Sequence, residues 1–273
     1  SNATVEERAT VTFATNKVTF SWAVNSAAAT YLTLWAIGGD DITDVKCATV
    51  TYGQTATGLR DYTGLGFTPT DGHGVLFTLA SAITAQSNTP SATNSNSNFG
   101  CAVSSTKQWA MGNTITNTAD PSATDRYHTD DNCLLTLLSG LVLGSAAFDS
   151  WISDGFRLNI TNTHSAANQL FSYLVINGGT WDCGNLQSPT SATNNVDYSV
   201  SVSSNTLRGL LMSTTAVSAV NTSTTNAIMG VGATDGTNQA CFGTIDEDAQ
   251  ATTDSYRVNN TANITRPLNT NGG

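Results

Sequence analysis

The chain has 273 residues and a formal net charge of −10, with Asp, Glu, Lys and Arg at only 11% of positions. No cluster of Lys and Arg is present to neutralise phosphates, which argues against nucleic acid and anionic membrane surfaces as partners. Its 45 threonines, against three Glu and three Lys, offer little from which to build helix surfaces and much that suits a pleated sheet.

Ser1-Asn2-Ala3 reads as the remnant of a cleaved expression tag. From Val11 to Trp22, apolar residues alternate (Val11, Phe13, Val18, Phe20, Trp22) around Thr15-Asn16-Lys17, which predicts a hairpin. A short loop leads to Tyr31-Leu-Thr-Leu-Trp35-Ala-Ile-Gly38-Gly39, a β-rich run that stops at a glycine pair. The same pieces return in mid-chain. Phe148 to Ile160 predicts a hairpin about Asp154-Gly155, with Phe13 matching Trp151 and Val18 matching Phe156. Phe171-Ser-Tyr173-Leu-Val-Ile-Asn-Gly178-Gly179 then repeats the glycine-terminated strand 140 residues after its first appearance.

The correspondence continues downstream. Gly74-Val-Leu-Phe-Thr matches Gly209-Leu-Leu-Met-Ser, and Phe99-Gly-Cys-Ala-Val matches Met229-Gly-Val-Gly-Ala. Gln108 to Gly112 matches Gln239 to Gly243, and Thr124-Asp125-Arg126 matches Ser255-Tyr256-Arg257. Anchors in the same order, with gaps only at loops, predict an internal duplication. Beyond residues 1–3, the units are 4–131 and 132–273, each a β-sandwich or jelly-roll-like repeat of an all-β fold. Between them, Cys133 to Gly144 is the most apolar stretch; Ser139-Gly140 divides it into two strands. Asn263 to Leu268 falls where the first of those strands would recur.

The glycine-terminated strands are apolar on both faces. Leu34, Ala36, Leu174 and Ile176 line one face; Tyr31, Trp35, Phe171, Tyr173 and Val175 line the other. A sandwich strand needs only one apolar face, so the second must be covered by the other copy or by a neighbouring subunit. Tyr31, Trp35, Phe171 and Tyr173 are therefore the expected core and interface residues.

The residues that could carry chemistry are few. Two of the three Glu lie together at the N-terminus, and no carboxylate stands alone on an aromatic-lined strand as a tuned acid would. His73, His128 and His164 are dispersed, without metal-ligand spacing, and no nucleophile elbow or phosphate loop is present. Asp40, Asp41 and Asp44 form an oxygen-rich group that could hold calcium, although Asp is also an ordinary turn residue. Asp130-Asp131 and Asp246-Glu247-Asp248 are similar groups. Trp181, followed by Asp182, is the best candidate for a sugar-stacking platform, with Trp109 behind it; the bland alternative places these rings in a core or interface. Cys47, Cys101, Cys133, Cys183 and Cys241 read as free thiols packed as small hydrophobes, which suits assembly in a reducing compartment. A Cys47–Cys183 bridge is conceivable, because both follow the glycine pairs.

Three segments together resemble a known group. Ser153-Asp154-Gly155-Phe156-Arg157-Leu158-Asn159, the strand Tyr173 to Gly179, and Gly64-Leu65-Gly66-Phe67-Thr68-Pro69 are similar to pieces of structural proteins of tailed bacteriophages and prophages. The resemblance implies a virion component of tail-fibre, tail-associated or head-decoration type, assembled in the host cytoplasm and without enzymatic activity or cofactor. Its partners would be further copies of itself or other virion proteins. A carbohydrate-binding module that recognises cell-surface glycan through Trp181, Asp182 and Trp109 is the alternative, and a polysaccharide-degrading enzyme the second alternative.

Overall fold

The structure, a computed structural model, describes residues 8–15, 17–24, 37–52, 56–81, 94–116, 121–138, 140–163, 169–190, 197–201, 207–251, 254–265 and 267–268. Tyr31, Trp35 and His164 lie outside the described residues, and with them the body of the first glycine-terminated strand. The described chain is all-β, with every strand pairing antiparallel.

Its strands form four sheets. β1 (Arg8–Ala14) and β2 (Lys17–Val24) pair only with each other. A four-stranded sheet runs in the order β4 (Gly58–Thr63), β11 (Gly155–Asn162), β10 (Leu141–Ile152), β9 (Leu134–Leu138). A seven-stranded sheet runs β14 (Thr224–Thr225), β8 (Thr124–Thr129), β7 (Lys107–Ile115), β6 (Ser95–Ser104), β5 (Gly74–Ala80), β12 (Leu170–Gly178), β3 (Ile42–Thr51). The last sheet is β13 (Leu210–Thr214), β15 (Ala227–Thr234), β16 (Gln239–Asp246), β17 (Ser255–Asn260).

The core lies between the four-stranded and seven-stranded sheets. Phe148, Phe156, Leu158 and Ile160 from the smaller sheet meet Leu76, Ala102, Phe171, Tyr173 and Val175 from the larger. Tyr52 is 1% exposed within this core. Its hydroxyl lies 2.7 Å from the Ser145 carbonyl and 2.5 Å from that of Asn162, which satisfies its one polar atom among apolar neighbours. At Gly100 of β6 an added Cβ would overlap the carbonyl oxygen of Cys133, just before β9. Only glycine fits there. Thr78 donates its hydroxyl to the same carbonyl.

Both expected hairpins form, with matching pairs: Phe13 opposite Val18 in one, Trp151 opposite Phe156 in the other. The apolar connector is two strands, turned at Gly140 with φ of +72°. The downstream anchors fall on two four-stranded meanders of the same order, β5–β6–β7–β8 and β13–β15–β16–β17.

The strand pairing does not follow the division at 131/132. β12, from beyond that boundary, lies between β3 and β5, and β4 pairs with β11. A strand apolar on both faces gains most inside a covered sheet, and the seven-stranded sheet offers β12 such a position between β5 and β3. A shared meander order is common among antiparallel folds, so it does not establish duplication. The segment 263–265 is irregular rather than a strand.

Candidate functional site on the outer face of the large sheet

Period-two alternation sends Phe171, Tyr173 and Val175 of β12 into the sandwich and Leu174 and Ile176 to the opposite face. That outer face carries a row of aromatic rings from successive strands. Phe77 stacks on Phe99 at 6.1 Å, Trp109 meets Phe99 edge-on at 5.4 Å, and His128 stacks on Trp109 at 6.3 Å.

Its cover within the chain comes from one nearby stretch. It is the segment just after β12, a strap of irregular backbone over residues 179–190 that crosses the row. Trp181 sets its ring edge-on to Phe77 at 6.4 Å and donates its indole N–H to the Gly178 carbonyl at 2.8 Å. Asp182, its side chain only 3% exposed, pairs with Lys107 at 2.5 Å and accepts the Ser201 N–H at 2.5 Å. Cys183 donates its thiol to the Lys107 carbonyl at 3.1 Å, and Asn185 shares a hydrogen bond with His128 at 2.6 Å. A glycine pair before the strap permits its sharp exit, with φ of +94° at Gly178 and +71° at Gly179.

The structure therefore brings Trp181, Asp182 and Trp109 together, but as strap and sheet holding one another. The Trp181 N–H and the Asp182 carboxylate, the polar groups a glycan would use, are engaged within the chain.

The acidic groups separate. Asp44 accepts a hydrogen bond from Asn177 at 3.2 Å, and the Asp41 carbonyl accepts the Gly179 N–H at 2.8 Å. Asp40, Asp41 and Asp44 make no group of three ligands for a cation, and none is formed elsewhere among the described residues. A pair far apart in the sequence does meet. Burial, followed by the nearby charge of Asp248, pushes the pKa of the Asp125 carboxyl above its ordinary value. Asp248 itself accepts the Thr124 N–H at 2.8 Å. Asp235 is held at about 2 by the N–H groups of Asn238 and Thr237 in its own tight turn. The bonded Arg157 guanidinium lowers Asp61.

All five cysteines are free thiols; Cys101, Cys133 and Cys241 are buried and Cys47 is exposed. A Cys47–Cys183 bridge is ruled out by topology. Cys47 pairs with Leu174, whereas Cys183 sits over β6 and β7. Three strand spacings, roughly 14 Å, separate β3 from β6, beyond the reach of a disulfide.

A shallow apolar cleft of about 610 Å³ opens where the C-terminal sheet approaches the outer face, lined by Leu79, Phe99, Leu170, Met229, Val231 and Phe242. No sequence signal announces it, because its walls come from strands with no local relationship. Set against known proteins, the chain matches no family model, no curated protein and no solved structure.

Proposed function

We propose that this chain is a non-enzymatic structural component of a phage particle, of tail-fibre, tail-associated or head-decoration kind, that works through assembly. The observation that carries this reading is the ribbon β1–β2. Direct cross-strand partners share a face, so Ala9, Val11, Phe13, Val18, Phe20 and Trp22 all lie on one side of it. Thr10, Thr12, Lys17, Thr19 and Ser21 take the other. Phe13 is 82% exposed, and Val11 and Trp22 are 44% exposed each. An isolated two-stranded ribbon is marginal in water, and an apolar face of this kind marks a protein contact.

Light scattering on the purified chain tests the reading. A defined oligomer, unaffected by chelator or sugars, is the expected result. A monomer at every concentration would remove it. Glycan-array binding abolished by Trp181→Ala would replace it with the carbohydrate-binding alternative, and sugar release lost with one Asp or Glu change would replace it with an enzyme.

A further inference from the structure

The two meanders are finished differently. In the first, the inner face is closed by β9 and by the hairpin β10–β11, with the Cys133 carbonyl seated on Gly100. In the second, the carbonyl of Ile264 is seated on Gly232 in the same manner. The last hairpins of the two meanders also share a register. Asn113 faces Arg126 and Thr244 faces Arg257, each pair 131 residues from its counterpart. The segment carrying Ile264 thus stands where β9 stands in the first meander, yet no hairpin comes after it among the described residues. Leu210 and Met212 flank the Gly232 face through their pairing with Thr234 and Gly232, and Tyr256 joins it through Ile245. Leu210 is 44% exposed and Tyr256 54% exposed.

Another hairpin of the chain matches the one that closes the first meander. The ribbon β1–β2 pairs Phe13 with Val18 and closes through two residues, as β10–β11 pairs Trp151 with Phe156 and closes through two. In β10–β11 Phe156 is at 0% exposure; in the ribbon Val18 and Phe20 are half-buried, while Phe13, Val11 and Trp22 are exposed. Charge agrees with a docked arrangement. Arg8 and Lys17 are the only charged residues of the ribbon. The C-terminal sheet and its loops carry Asp235, Asp246, Glu247, Asp248 and Asp254 against Arg208 and Arg257. Opposite charge favours this encounter and disfavours ribbon against ribbon. Among the described residues, Phe13 on the ribbon and Leu210 and Tyr256 at the flanks of the sheet stay exposed, while Ile228, Cys241 and Ile245 at its middle are buried.

We propose that the ribbon β1–β2 of one copy lays its apolar face on the C-terminal sheet of the next copy, beside the Ile264 segment, completing there the sandwich that β10–β11 completes internally. This rests on the assembly reading above and gives it a direction. The contact joins two different surfaces, so it propagates head to tail and yields a ring or a filament.

Two full-length variants decide the matter: Phe13→Asp, which spoils the ribbon, and Tyr256→Asp, which spoils the receiving sheet. Both side chains are exposed, so circular dichroism should be unchanged; Val11→Asp and Leu210→Asp serve if either variant misfolds. Each variant alone should lose self-association by roughly 100-fold, the scale of an interface hot spot. Mixed in equal amounts, they retain one intact ribbon and one intact sheet, and should form dimers that grow no further. If the mixture stays monomeric, or Tyr256→Asp assembles like wild type, the contact is not head to tail between these surfaces. A wild-type oligomer that survives both variants removes this inference and leaves the assembly reading standing. A wild-type monomer at concentrations on the order of 100 μM removes both.

Discussion

The carboxylate of Asp154 accepts the backbone N–H of Gly66 at 2.5 Å, across 88 residues of sequence. The same side chain accepts the Gly64 N–H at 3.1 Å, and the Asp154 carbonyl accepts the N–H groups of Gly64 and Leu65. The Ser-Asp-Gly turn and the Gly-x-Gly-Phe-Thr-Pro loop, distant in the sequence, are therefore one bonded unit. It ties the tip of β10–β11 to the loop after β4.

Asp154 holds a left-handed φ of +61°, which Asn tolerates and Ala resists. Asp154→Ala should cost about 2 kcal/mol, a thermal midpoint lower by roughly 4–8 °C, from lost caps and backbone strain. Asp154→Asn should lose less than half of that. Equal losses in calorimetry would contradict the role given to the conformation.

The strap is pinned by Trp181 and by the ion pair between Asp182 and Lys107. Trp181→Ala removes the contact with Phe77 and should cost roughly 2–3 kcal/mol, less than a fully buried ring because the indole is partly exposed. Asp182→Ala should open the strap to limited proteolysis between residues 183 and 190 before the sheets unfold. A cleavage rate equal to wild type would show that the pair does not hold the strap.

Stability should fall on the alkaline side. Burial raises Tyr62 from 10.0 to about 12, and raises Tyr52 and Cys133 further above their ordinary values of 10.0 and 9.0. Between those values and the folded ones, the unfolded chain has released protons that the folded chain retains. The stabilisation is therefore whole below about pH 9 and is lost as pH rises, by about 1.4 kcal/mol per unit for each group. Denaturant melts at about pH 8 and about pH 11 should show this decline, with a smaller decline in Tyr62→Phe. A flat profile would contradict the burial of these groups.

Two glycines separate a rigid contact from a yielding one. Gly100→Ala forces a methyl into the Cys133 carbonyl between two sheets and should destabilise by roughly 1–3 kcal/mol or prevent folding. Gly232→Ala meets the carbonyl of Ile264, which lies on an irregular segment outside any sheet ladder. Its melting should change little, while hydrogen exchange over 261–265 accelerates. If the two variants melt alike, the C-terminal segment is held as firmly as β9.

The candidate site was legible only in part. Trp181, Asp182 and Trp109 stand out as residue types, and they do meet. Their partners, Phe77, Lys107 and Gly178, could not be read from spacing, because a strap folding over a sheet leaves no periodic trace. The proximity of Asp125 and Asp248 was equally hidden, being set by the packing of the start of β8 against the loop after β16, 123 residues away.

By itself, the sequence determined the all-β class, the two hairpins, the turn at Gly140 and which residues of β12 share a face. Those features arise from period-two alternation and from local turn chemistry, which act over a few residues. Tertiary structure alone decided which strands became neighbours: β12 between β3 and β5, β4 beside β11, and the strap over the aromatic row. Pairing partners are chosen by the total apolar surface a sheet can cover, and that sum exists only once distant segments are brought together.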